Sequence, residues 1–129
     1  MTEHRTGHFR AGMAALAALA LAPAVFAAPV AAEGWAIFKL DSVDDLAACM
    51  SRARRTVSSY IFDHGGSQTG ADSWSVYGYD LEPGQQDVVI VCFEAAGGAI
   101  DALLVVQSES ESEPREQVAE ALLRIWDGA

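Results

Sequence analysis

Cysteine, histidine and basic side chains are scarce in this chain, and each shortage narrows what it can do. The sequence holds two cysteines and three histidines in 129 residues. Cys49 and Cys92 do not form a C-x-x-C pair, which removes a thioredoxin-type redox motif. Past the N-terminal apolar run the one remaining histidine is His64. A zinc site would therefore have to recruit carboxylates, and no metal or other cofactor is expected. Eight Lys and Arg stand against eighteen Asp and Glu, for a formal charge of −10. A surface that acidic repels nucleic acid and anionic headgroups, both of which select basic patches. Cationic partners are compatible with it.

Phosphate-cradling loops are missing too: Gly65-Gly66 and Gly97-Gly98 read as turn glycines, and neither P-loop nor Rossmann spacing occurs. Asp41, Asp44 and Asp45 lack the glycine and terminal glutamate of a calcium loop and are better explained as helix-capping residues.

What is present begins with a leader. Arg5 and Arg10 precede an apolar run, Ala11 to Phe26, interrupted near its end by Pro23. The run falls short of the roughly 20 residues a membrane-crossing helix needs, and small residues follow it. This is the layout of a secretory signal peptide over 1–32, with cleavage expected after Ala32 or Ala27, where Val30 or Val25 takes the −3 position. No stable membrane anchor is then expected after cleavage, and the compartment would be periplasmic or extracellular. Residues 33–129 form a single domain by length. Cleavage removes Glu3, Arg5 and Arg10, so the domain is slightly more acidic than the whole chain. In an oxidising compartment Cys49 and Cys92 are expected to pair, two buried thiols or a reactive thiol being the alternatives. The bridge would stabilise the fold by roughly 4 kcal/mol through loop entropy.

Hydrophobic periodicity predicts an α+β two-layer sandwich in the order β-α-β-β-β-α, with a mainly antiparallel four-stranded sheet. The first strand spans Gly34 to Leu40. Ser42 is the expected cap of a helix to about Phe62, whose apolar stripe is Leu46, Cys49, Met50, Ala53, Val57, Tyr60 and Ile61. Asp63 to Asp72 reads as a loop. Strands follow at Ser73–Leu81, Asp87–Glu94 and Ala99–Gln107, the first two joined by Glu82-Pro83-Gly84-Gln85, a sequence suited to a type II turn. Pro114 opens a last helix with Val118, Leu122, Ile125 and Trp126 inward.

With both helices on one face, Cys92, Val88 and Ile90 point toward them together with Ile100, Ala102, Leu104 and Val106. The other face then carries Val89, Val91, Phe93, Leu103 and Val105, with Tyr77 and Tyr79 beside them. A solvated sheet face should alternate with polar residues, so an apolar one marks contact with something. Homodimerisation is the leading expectation, and a partner protein or small apolar ligand comes second. One helix on each face, or loops folded over the patch, would remove it.

For chemistry, Asp63, His64 and Asp72 are the one polar group in which a hydrolase or metal-dependent centre could be sought, although no Ser, Cys or third group completes a triad. The alternating Ser108–Glu113 segment could attract cations through Glu109, Glu111 and Glu113, or simply assist the next helix. Trp35, Trp74 and Trp126 read as core or edge anchors, although Trp74, beside the loop, could be exposed. The expected function is that of a small exported binding or interaction protein, more a non-enzyme than an enzyme.

Overall fold

The computed structural model describes residues 33–128. Seven elements follow in order: β1 Gly34–Val43, α1 Leu46–His64, β2 Gln68–Ala71, β3 Ser75–Leu81, β4 Gln86–Glu94, β5 Ile100–Ser108 and α2 Ser112–Gly128. The strands form one antiparallel sheet in the order β1-β5-β4-β3-β2. The α+β class is as expected, but the sheet has five strands and not four. The leader and its cleavage sites lie outside the described residues. Among the described residues no helix is long and apolar enough to cross a membrane.

Three local features differ from the sequence reading. The expected loop over Asp63–Asp72 splits between the last turn of α1 and strand β2, which pairs from Gln68↔Tyr79 to Ala71↔Val76. Helix α1 is capped by Asp45 and not by Ser42: the Asp45 carboxylate accepts the Ala48 N–H at 2.7 Å. Ser42 is drawn away, donating its hydroxyl to Asp101 of β5 at 2.5 Å. The β3–β4 connection is not a type II turn. Its Glu82-Pro83 peptide is cis, and Gly84 and Gln85 both have positive φ.

Both helices cover the same face. Cys49, Met50, Ala53, Thr56, Val57 and Tyr60 form the buried stripe of α1, and Val118, Ala119, Leu122 and Trp126 that of α2. Leu46, expected on the stripe, is exposed because it is the first residue of the helix. The sheet contributes Leu40, Val76, Leu81, Val88, Ile90, Ala102, Leu104 and Val106 to the same core. Cys49 of α1 is bonded to Cys92 of β4 with the Cα atoms 6.1 Å apart, so the disulfide staples helix to sheet. Close approach of α1 to β3 depends on Gly78: a Cβ there would lie 2.7 Å from Val57 Cγ1 and 3.0 Å from Leu81 and Val88. The helices are tied to each other by Arg52, which donates from Nε to the Trp126 carbonyl at 2.8 Å and lies over the Trp126 ring.

Arg115 anchors the start of α2. Its buried guanidinium donates to the carbonyls of Ser108 and Ser110 and occupies the space beside Gly34 that any side chain would fill. Gly34 is required there because β1 passes directly over the guanidinium.

Candidate binding surface

The uncovered face of the sheet is ordered in rows by the strand register. Trp35, Gln107 and Asp87 form the first, and Ile37, Val105, Val89 and Tyr77 the second. Lys39, Leu103, Val91 and Ser75 make the third, and Asp101 and Phe93 close the far end. Six of the seven residues expected on this face from the sequence lie in these rows, and the seventh, Tyr79, stands beside Tyr77. Val89, Val91, Phe93, Leu103, Val105 and Tyr77 are half-buried by their neighbours, and Tyr79 is exposed. No helix of the described chain lies over them, since both pack on the opposite side.

The most exposed members were not on the expected surface. Trp35 is 62 % and Ile37 63 % exposed, so the edge strand β1 extends the apolar surface beyond β5. Their place was obscured because Ala36, Phe38 and Leu40 are apolar as well, so alternation with polar residues begins only at Lys39. Of the three tryptophans, Trp126 alone is a core anchor; Trp35 and Trp74 are largely solvent-facing.

Charge is thin across the middle of this face. Lys39 Nζ stands 3.1 Å from Asp101 Oδ2, and Asp101 also accepts the Ser42 hydroxyl. The Ser42 hydrogen bond, then Lys39, hold the Asp101 carboxyl below its usual range.

At the first row the character changes. Trp35, Tyr77 and Tyr79 surround a hollow of about 140 Å³ floored by Val89 and Val105, and Asp87 and Gln107 close it. Tyr79 comes into reach through a bulge: Gly78 pairs with Val88 and Leu81 with Gln86, so Tyr79 and Asp80 together oppose Asp87. Asp80 has φ of 53°, and its N–H is held by Asp87 Oδ1 at 3.2 Å. Tyr77 is fixed by its hydroxyl, which donates to Asp72 Oδ2 at 2.9 Å. A second, larger hollow of about 730 Å³ shares Asp87 and Gln107 with the first and adds Asp80, Glu82 and Glu109.

The polar candidates do not converge. His64 stacks on Tyr60 with ring centroids 4.4 Å apart and its Nδ1 lies 3.3 Å from the Tyr60 carbonyl. Asp63 is exposed at the end of α1. Asp72 is spent on a turn, accepting the N–H groups of Trp74 and Ser75 at 2.9 and 2.7 Å as well as the Tyr77 hydroxyl. The Trp74 N–H and then the Tyr77 hydroxyl lower the Asp72 pKa, as structural acceptors do. Among the described residues no hydrogen bond or ion pair joins these three, and no group of His, Cys, Asp and Glu is disposed to hold a metal ion. Glu109, Glu111 and Glu113 are exposed, with Glu113 in the first turn of α2.

The fold and this surface define a disulfide-stapled α+β sandwich with one sheet face that no described element covers. No family model matches the chain, and neither a curated protein nor a solved structure matches it.

Proposed function

We propose that this chain is a non-catalytic interaction protein, exported to an oxidising compartment, that works as a homodimer closed through its open sheet face. The observation that carries the reading is the uncovered row structure: Ile37, Val89, Val91, Leu103, Val105 and Phe93 lie together on the side that carries no helix of the described residues. Four strands at about 4.8 Å spacing and nine residues at about 3.3 Å rise give a face of roughly 570 Å² per copy. Two such faces approach the roughly 1,200 Å² at which standard specific interfaces begin, which fits a dimer of modest affinity. Charge supports a second copy over a basic partner. In a chain of charge −10 the centre of this face holds one ion pair, Lys39 with Asp101, and no free carboxylate.

Salt separates the two kinds of occupant. Two acidic copies repel, so screening should tighten a homodimer, whereas salt would loosen a complex with a basic partner. Sedimentation velocity of the wild type at low and high ionic strength, beside Val91→Asp, tests this. The expected result is a dimer that tightens with salt and is lost in the variant while the monomer stays folded. A wild-type monomer at every concentration and salt level would overturn it.

A further inference from the structure

The first row of the open face is built differently from the rest, and the contrast points to a ligand. Trp35, Tyr77 and Tyr79 present aromatic surface around a hollow of about 140 Å³, too small for a drug-sized molecule and suited to one head group. Negative charge gathers at its mouth. Asp87 closes the hollow, and Asp80, Glu82 and Glu109 line the adjoining one. Glu33 is brought in by its Oε1, which accepts from Gln107 Nε2 at 2.5 Å. Among the described residues no lysine or arginine lines either hollow. Asp87 uses Oδ1 to hold the Asp80 N–H. Aromatic faces attract a weakly hydrated cation through their quadrupoles, and a carboxylate beside them adds a full charge.

We propose that this aromatic hollow binds a small soluble methylated ammonium, with its methyl groups against Trp35, Tyr77 and Tyr79 and its charge facing Asp87. The inference rests on the reading of the open face as a binding surface, and it places the site at the rim of the dimer contact. A bare ammonium fits less well because it would have to shed a tighter hydration shell against the rings. The same head group on a phospholipid is disfavoured, since its phosphate would be carried toward Glu33 and Glu109.

The test uses choline and its neutral isostere 3,3-dimethylbutan-1-ol, titrated into the folded protein and followed by Trp and Tyr NMR shifts. Choline is expected to bind at least about tenfold more tightly than the alcohol. Trp35→Ala and Asp87→Asn should each weaken choline by about three- to thirtyfold, the range of a cation–π contact or a close charge. Glu120→Gln on α2 should not change it. Equal binding of choline and the alcohol, or wild-type affinity in Asp87→Asn, would overturn the proposal. Phosphatidylcholine vesicles provide the other source of the head group; co-sedimentation with them, lost in Trp35→Ala, would overturn the assignment to a soluble ligand. Choline binding is also measured in Val91→Asp. If it persists there while wild type proves monomeric, the dimer reading fails alone; if a dimer forms and choline does not bind, this proposal fails alone.

Discussion

The two faces of this sheet are made from the same strands and nearly the same residue types, yet they have opposite fates. On β4, Val88, Ile90 and Cys92 are fully enclosed, while Val89, Val91 and Phe93, their immediate neighbours, are half-open. On β5, Ala102, Leu104 and Val106 are enclosed and Leu103 and Val105 are not. What distinguishes the faces is the covering. One receives two helices, a disulfide and the Gly78 gap that lets α1 settle; the other receives nothing from the described chain. Apolar residues on both sides of a strand thus do not say that the same chain covers both.

Substitutions on the two faces should therefore fail differently. The largest effect belongs to the staple. Replacing Cys49 and Cys92 together by Ala opens a 43-residue separation and should lower unfolding free energy by about 4 kcal/mol in urea titrations, with assembly lost only because the fold is weakened. Next is Gly78→Ala. Its new methyl meets Val57, Leu81 and Val88, and the overpacking should be worth about 1–3 kcal/mol by the same assay. Val91→Asp, one residue from the enclosed Cys92, should reduce monomer stability by no more than about 1 kcal/mol while abolishing the dimer. A loss of stability in Val91→Asp as large as that of Gly78→Ala would erase the distinction between the faces.

The smallest effect is a dependence on pH. Asp72 and Asp101 both have carboxyls held below their ordinary value, by the Trp74 N–H and by the Ser42 hydroxyl respectively. Depressed carboxyls add stability that is present above the unfolded value near 4 and is lost as pH falls through the lower folded value. Acidification below about 4 should consequently loosen the turn before β3 and the Lys39–Asp101 contact, while mild acidification above that should leave both in place. Asp72→Asn and Asp101→Asn should each flatten that acid limb in thermal melts. Tyr60 acts at the other extreme: burial, then Glu82, raises its pKa, so its stabilising contribution is complete below about 10 and declines as pH rises further.

Much of the covered face was legible in the sequence, because a helical stripe and an alternating strand each carry a strong period. The stripe Cys49, Met50, Ala53, Val57 and Tyr60 and the inward set Val88, Ile90 and Cys92 lead directly to the Cys49–Cys92 bond. Strand β2 was not legible. Gln68, Thr69, Gly70 and Ala71 bury no large side chain, and β3 supplies their pairing through backbone hydrogen bonds that leave no mark in composition. The helix start was ambiguous because Ser42, Asp44 and Asp45 are all capping types, and a contact from β5 to Ser42 decided it. The aromatic hollow was hidden for a related reason. Trp35 and Tyr79 are far apart in sequence, and only the β1–β5–β4 register and the bulge opposite Asp87 bring them to one hollow.

The central claim is that the open face is an association surface, and methyl NMR on a dilution series tests it most directly. Between millimolar and micromolar protein, the methyl signals of Val89, Val91, Leu103 and Val105 should move together, while those of Val88, Ile90, Leu104 and Val106 stay in place. Open-face methyls that remain unmoved throughout, with the protein monomeric at the highest concentration, would contradict the account.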